Sequence, residues 1–315
     1  MAASSPRIAR SVTKSIEAGL TFSARCWGKA SPASATLAAI ALAVATLAGQ
    51  GTSRPPSGAP IRGLDHVPIA VNNLDAASAR FRALGFTLKP GQPHANGIVN
   101  QHAKFPDGTE LELITAPKAT DELTTYYRES LAKGDGPAFL ALFAPARTDL
   151  VQRIERDLPR YIFFGPRNAS PTDLPEHFRH TNTAQSLISV WLAGADLSAE
   201  WNLLERLGAV MTHEVRDLPE RTSMTVARFE EGEVLLLPAA RELVPGRRVM
   251  GATVRVRSIA FVERLRPGGV APIVVRRTQG SSAFVKPEVA NGLWLEFKEP
   301  APAQTPPRRI PPTVP

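Results

Sequence analysis

The sequence predicts an α+β protein built from about four β-α-β-β-β units. Two observations support this fold class. Short runs of alternating apolar residues, typical of strands, alternate with amphipathic stretches that have helical spacing. The same order of elements then recurs in the second half of the chain, which indicates internal duplication.

The first unit is predicted over residues 62–117. LDHVPIAV (64–71) is a strand in which the aliphatic residues alternate with His66, so that the histidine lies on the face opposite the packed one. DAASARFRAL (75–84) has the spacing of an amphipathic helix. The runs GFTLKP, GIVNQHAKF and TELELIT then predict three more strands, separated by the turn residues of Pro-Gly and Asp-Gly pairs.

A second copy begins at SLISVWLAGADLSAEWNLLERLGAV (186–210). The spacing from Leu74 to Leu84 is the same as that from Leu197 to Leu207, and a glycine follows each of the two stretches. Weaker copies are predicted at 136–164, as strand, helix and strand, and at 253–300, mostly as strands. The domains expected are therefore a module pair at 61–185 and a second pair at 186–300.

The two ends of the chain differ from this body. Residues 1–60 are basic and then apolar (35–49) before a Gly/Ser/Pro linker, which predicts an export leader and linker. The protein is then periplasmic or secreted, and an uncleaved N-terminal membrane anchor is left open. Export is favoured over an organelle transit peptide. Residues 301–315 are proline-rich and predict an extended tail.

Composition excludes several classes of function. The net charge of +8 lies almost entirely in the two ends, so the near-neutral body gives no support for a nucleic-acid partner. The single cysteine, Cys26, lies in the leader, which excludes an intrachain disulfide and a thiol nucleophile in the body. Any metal there must be held by His, Asp, Glu and water.

The residues of the first unit resemble the vicinal-oxygen-chelate superfamily, and in particular its glyoxalase-like branch. The resemblance rests on LDHVPIAVNNLDAASARFRALGF, HANGIVN (94–100), DGTELELITAP (107–117) and HTNTAQSLISVWLAGADL (180–197). It implies paired modules that curl into half-open barrels around a divalent metal, Zn, Fe, Mn or Ni. It also implies a metal-dependent isomerase, lyase or dioxygenase that acts on a small molecule with two adjacent oxygens.

The resemblance places the metal ligands on the first and last strands of a module. His66 and Glu112 match these positions in the first module, and Glu112 could also serve as the catalytic base. Strand parity supports the pair independently, because Glu110 and Glu112 alternate with leucines. Glu296 follows Gly292 as Glu112 follows Gly108, so it is a candidate third ligand.

Other residues are candidates for binding the substrate. These lie in two short loops and at the start of a strand: His94, Asn96, Asn100 and His180. His102 is expected at the surface and Glu110 on an exposed face. Ser189 stands where the third module would offer a ligand. The sequence therefore leaves open a metal-free protein that binds or sequesters small molecules, an interaction protein with a vestigial barrel, and a homodimer that completes the site.

Overall fold

The computed structural model describes residues 59–301, except residues 147, 156, 157 and 279. Almost all of the predicted leader, with Cys26, and of the proline-rich tail lies outside the described residues, so export and the tail stay predictions. No helix in the described part of the chain is long and apolar enough to cross a membrane.

The first unit has the predicted order of elements. Its elements are β1 (Gly63–Leu64), β2 (His66–Ala70), α1 (Leu74–Ala83), β3 (Lys89–Pro90), β4 (Val99–Lys104) and β5 (Glu110–Thr115). Asn73 caps α1 by accepting a hydrogen bond from the Ala76 N–H. Gly85 ends it with a φ of 87°, a left-handed conformation that glycine adopts without strain.

The next stretch contributes to two sheets. Its elements are α2 (Glu122–Leu131), β6 (Gly136–Pro137), β7 (Leu140–Phe143), α3 (Asp149–Glu155) and β8 (Ile162–Gly165). A five-stranded sheet has the order β3-β4-β5-β2-β6, and β1, β7 and β8 form a separate three-stranded sheet. The strand, helix and strand expected at 136–164 are therefore present.

The remaining strands form one eight-stranded sheet. The elements are β9 (Ala184–Gly194), α4 (Ser198–Arg206), β10 (Val210–Leu218), β11 (Glu220–Arg228), β12 (Glu233–Pro238), β13 (Val249–Val256), α5 (Ala260–Glu263), β14 (Ile273–Arg277), β15 (Gly280–Val285) and β16 (Trp294–Pro300). The order is β10-β11-β12-β9-β13-β16-β15-β14, and its first four strands repeat the arrangement β3-β4-β5-β2.

The eight-stranded sheet curls into a half-barrel. Arg277 on the edge strand β14 forms an ion pair with Asp217 on β10, at the opposite edge, so the two edges approach each other. The predicted α+β fold class is confirmed, and the described residues form one half-barrel where the sequence predicted paired half-open barrels.

Three cores among the described residues determine which side chains each sheet presents. One face of the five-stranded sheet, with Val67 and Leu111, packs in the same core as Val190 and Leu295 of the half-barrel. A second core fills the inside of the half-barrel, with Trp191 and Phe284 both fully buried. The other face of the first sheet carries His66 and Glu112, and it also packs against α2 in a third, smaller core.

The inner core gives a stability prediction. Trp191 packs at its centre and donates a hydrogen bond from Nε1 to Thr253 Oγ1 at 2.9 Å. We expect Trp191→Ala to lower the free energy of unfolding by about 3–5 kcal/mol through the cavity it leaves. Val215→Ala, on the same sheet at a side chain that is 54% exposed, should change it by less than about 0.5 kcal/mol. Urea denaturation followed by circular dichroism measures both, and equal effects would contradict the packing described.

Candidate functional site

Three strands of the five-stranded sheet place polar side chains on one face. Side chains alternate between the two faces of a strand, so His66 on β2, Asn100 and His102 on β4, and Glu110 and Glu112 on β5 share the face opposite the main core. All five are buried except His66, which is partly exposed. The result is a compact ionic cluster within a few strand spacings.

His66 is oriented by its neighbour in the sequence. Its Nδ1 donates a hydrogen bond to Asp65 Oδ2 at 2.9 Å, so Nε2 is the nitrogen available to other groups. Nε2 lies 3.6 Å from Glu112 Oε2, beyond hydrogen-bonding distance. Burial lowers the pKa of His66, but the carboxylates of Asp65, Glu112 and Glu110 outweigh it and raise that pKa to about 9.

Glu112 is held from its other side. Its Oε1 accepts a hydrogen bond of 2.5 Å from Asn100 Nδ2 on the neighbouring strand, which leaves Oε2 directed at His66. The structure therefore brings together His66 and Glu112, the two residues predicted as metal ligands in the first module, and adds Asn100 as a partner of the carboxylate.

His102 and Glu110 correct the sequence analysis, because both are buried rather than exposed. His102 Nδ1 donates to Glu110 Oε1 at 3.1 Å, and Asn168 Nδ2 donates to the same oxygen at 3.0 Å. Burial opposes ionisation of both side chains, but their mutual attraction prevails: the pKa of Glu110 falls to about 2 and that of His102 rises. The alternation in GIVNQHAKF could have placed His102 on the face of Glu112.

A connecting segment covers this cluster. Asn168 contacts Glu110, and Asp173 accepts hydrogen bonds from Lys104 Nζ at 2.7 Å and from Lys89 Nζ. Arg167 donates hydrogen bonds to the Leu64 carbonyl and to Glu231 Oε2. Glu231 lies in the turn between β11 and β12. The half-barrel is thus tied to β1, which directly precedes the strand that carries His66.

His180 bonds to the backbone through both ring nitrogens, and its role in substrate binding stays a prediction. Its Nδ1 accepts from the Thr87 N–H at 3.0 Å and its Nε2 donates to the Lys104 carbonyl at 2.8 Å. Both ring nitrogens are therefore occupied by backbone groups. Burial lowers the pKa of this histidine, which keeps the ring neutral as those two bonds require.

Glu296 does not join His66 and Glu112. It lies on the inner face of the half-barrel, where its carboxylate accepts hydrogen bonds from Thr253 Oγ1 at 2.7 Å and Ser282 Oγ at 2.5 Å. The spacing from Gly292 identified an equivalent strand position in another sheet. Glu296 therefore lies in a different sheet from His66 and Glu112, and its role as a metal ligand stays a prediction.

The loop residues His94 and Asn96 lie at the edge of the first sheet. Asn96 Nδ2 donates to Asp121 Oδ2 at 2.9 Å, and Thr120 Oγ1 donates to the Asn96 carbonyl, so this loop is attached to the start of α2. The Nε2 atom of His94 is buried without a hydrogen-bond partner. No contact to His66 or Glu112 connects either residue with the cluster, and their substrate role stays a prediction.

The pair His66 and Glu112 fits a divalent ion as two protein ligands. Two ligand atoms at about 2.1 Å from a tetrahedral ion lie about 3.4 Å apart, close to the 3.6 Å between Nε2 and Oε2. The hydrogen bond from Nδ1 to Asp65 is the outer contact that metal-binding histidines usually have. Among the described residues no group of three or more His, Cys, Asp or Glu side chains is arranged around an ion, so water or substrate would complete the coordination.

Comparison with known proteins agrees with this fold. Residues 64–157 match the family model described as "Glyoxalase-like domain". Solved structures with the same fold include a xylose isomerase-like TIM barrel/4-hydroxyphenylpyruvate dioxygenase fusion protein. That match has a TM-score of 0.56 and 14% identity, over 80% of this chain and 51% of the fusion protein. The chain thus spans about half the length of that relative.

Two further structures match along most of their own length. A triple mutant of 4-hydroxymandelate synthase from Streptomyces coelicolor has a TM-score of 0.54 and 14% identity over 78% of this chain and 94% of the synthase. A hypothetical protein from Staphylococcus aureus has a TM-score of 0.50 and 11% identity over 75% of this chain and 98% of its own. No curated protein sequence matches the chain.

Residues 64–157 are therefore a glyoxalase-like domain, and the protein has the fold of the vicinal-oxygen-chelate superfamily. The match contains His66 and Glu112 and the strands β2, β4 and β5 that carry the ionic cluster. At these identities the structural relatives establish the fold alone.

The Glu110–His102 pair gives a prediction for acid stability. The pKa of Glu110 is about 2 in the folded state and 4.5 ordinarily, so its contribution is complete above pH 4.5 and is lost as the pH falls towards 2. We expect Glu110→Gln to cost about 3 kcal/mol at pH 6, and this cost should shrink below pH 4.5. Urea unfolding of the metal-free protein from pH 3 to 6 measures it, with the exposed Glu122→Gln as control. A cost for Glu110→Gln that does not change with pH would contradict the assignment.

Proposed function

We propose that the protein is a metal-dependent enzyme of the glyoxalase-like type that acts on a small molecule with two adjacent oxygens. The observation that carries this proposal is the pairing of His66 Nε2 with Glu112 Oε2 at 3.6 Å. Isomerisation, lyase chemistry and ring-opening oxidation remain the candidate reaction types. The fold and the glyoxalase-like domain support the class, and the site residues support the need for a metal.

The local sequence favours this chemistry over a purely structural ion pair. A carboxylate on Nδ1 holds the imidazole in one orientation and increases the basicity of Nε2, which is the usual preparation of a histidine ligand. A purely structural pair would place Nε2 within hydrogen-bonding distance of Glu112, and it does not. The aromatic ring of Phe163 packs edge-on against His66, at 5.4 Å between centroids, which restricts the ring further.

A bound divalent ion would act as a Lewis acid that stabilises negative charge on a substrate oxygen. His66 provides the neutral ligand nitrogen, and Asp65 holds that ring. Glu112 would provide the carboxylate ligand through Oε2, and on being displaced from the ion during turnover the same oxygen would accept a proton from the substrate. Asn100 and the buried Glu110–His102 pair keep this face of the sheet rigid and limit the entry of water.

A metal-free protein that binds small molecules is the second candidate. It is favoured by the pKa of about 9 for His66, because a protonated imidazole between Asp65 and Glu112 already offsets part of the negative charge of the site. It is also favoured by a ligand set of only two protein groups. Metal content separates the two candidates directly.

We expect the purified full-length protein, after reconstitution with Zn²⁺, Fe²⁺, Mn²⁺ or Ni²⁺, to retain one ion per chain. His66→Ala and Glu112→Ala should each lose that ion, because each variant removes one of two protein ligands. Elemental analysis after dialysis measures the content.

The matched control is Glu296→Gln, which changes a buried carboxylate in the half-barrel and should keep the ion. Loss of metal in Glu296→Gln with retention in Glu112→Ala would move the site to the other sheet. Metal absent from the wild type under all four conditions would favour the binding protein.

Metal binding should also release a proton. His66 is protonated below its pKa of about 9 and must be neutral to bind an ion. The apparent Kd should therefore rise about tenfold for each unit that the pH falls below 9. Calorimetric titration in buffers of different ionisation enthalpy should count about one proton per ion at pH 7.5, whereas a count of zero would show that the ion does not displace the His66 proton.

A further inference from the structure

The two ends of the buried Asn100 side-chain amide differ in their hydrogen bonding. Its side-chain Nδ2 donates to Glu112 Oε1, and the residue is only 6% exposed. The other end of the amide, Oδ1, is buried without a hydrogen-bond partner. Burying an unpaired carbonyl oxygen costs free energy, so the presence of an amide here calls for a physical reason.

Gly91 explains which way the amide points. The backbone of Gly91 pairs with that of Asn100, through a hydrogen bond of 3.0 Å from the Gly91 N–H to the Asn100 carbonyl. A β-carbon added to Gly91 would overlap Oδ1, and the three atoms nearest to it would all belong to the Asn100 side chain. The glycine therefore provides the space for Oδ1, and it also closes that direction to a substrate.

The opposite orientation of the amide is unfavourable. It would place Oδ1 against the Glu112 carboxylate. Both groups are hydrogen-bond acceptors, so they would repel each other at that distance. The side chain consequently has one acceptable position, in which its donor holds Oε1 and leaves Oε2 directed at His66.

We propose that Asn100 is a positioning residue that orients Glu112 for metal binding, and that Gly91 is required for this because it makes room for the amide oxygen. This replaces the role in substrate binding expected from the sequence. The inference rests on the proposed function, since it assigns a purpose to the orientation of a metal ligand.

Two substitutions should each weaken metal binding, for different structural reasons. Asn100→Leu keeps the volume of the side chain but removes the donor, and it also removes the unpaired oxygen. Gly91→Ala leaves Asn100 unchanged but pushes its amide away, and the backbone there has no left-handed φ that would strain alanine. Loss of an outer hydrogen bond to a metal ligand typically weakens metal affinity about 10–100-fold.

The experiment is titration of the full-length protein with Co²⁺, followed by its visible absorption, together with thermal unfolding of each variant. Both variants should raise the Kd for Co²⁺ by about 10–100-fold and alter the absorption spectrum, while the unfolding midpoint of Asn100→Leu stays close to that of the wild type. Gln101→Leu is the matched control, because this neighbour on β4 points to the other face, where it accepts a hydrogen bond from Arg82. It should leave Kd and spectrum unchanged.

The outcomes separate the two proposals. Unchanged Co²⁺ affinity and spectrum in both Asn100→Leu and Gly91→Ala would overturn the positioning role and leave the metal site intact. A loss of affinity that Gln101→Leu reproduces would also overturn it, because the effect would then be general. Wild-type protein that binds no Co²⁺ would overturn the proposed metal site and the positioning role together.

Discussion

The parallel pairing of β2 with β5 is the constraint on which the rest of the structure depends. It places His66 beside Glu110 and Pro68 beside Glu112, and the two-residue period of both strands then divides their side chains between two environments. Val67 and Leu111 enter the core shared with the half-barrel, and the ionic residues collect on the opposite face. A shift of one residue in this register would exchange the two faces and place charges in the core.

The half-barrel repeats this strand arrangement, but the equivalent row of residues contains no histidine–glutamate pair. Across its four central strands the register aligns Glu233, Ser189, Thr253 and Glu296 in one row. Arg216 forms ion pairs with Glu233, while hydroxyl groups satisfy Glu296. The charge of Glu233 is thus paired with a guanidinium and the oxygens of Glu296 with hydroxyl donors, and Trp191 and Phe284 fill the remaining interior. The two sheets therefore differ in what completes their polar rows, a guanidinium in one and, in our proposal, a metal ion in the other.

The local sequence pattern was sufficient to predict the first unit and the sheet face on which His66 and Glu112 lie. The alternation of apolar and polar residues along a strand can be read from the sequence itself. The pattern was insufficient for Glu110 and His102, whose burial depends on the segment around Asn168 and Asp173, far away in the chain. Glu296 has the right spacing after a glycine, but spacing within a unit does not say which sheet the unit joins. His180 was a candidate for binding the substrate, yet its partners, the Thr87 N–H and the Lys104 carbonyl, come from elsewhere in the fold.

The most direct measurement is the anomalous difference density of crystals of the full-length protein soaked in Co²⁺. Our account predicts one strong peak between His66 Nε2 and Glu112 Oε2, about 2.1 Å from each, with Asn100 still bonded to the second oxygen of Glu112. A fully occupied peak beside Glu233 or Glu296 in the half-barrel, or no peak at the first sheet under conditions that saturate surface sites, would contradict it.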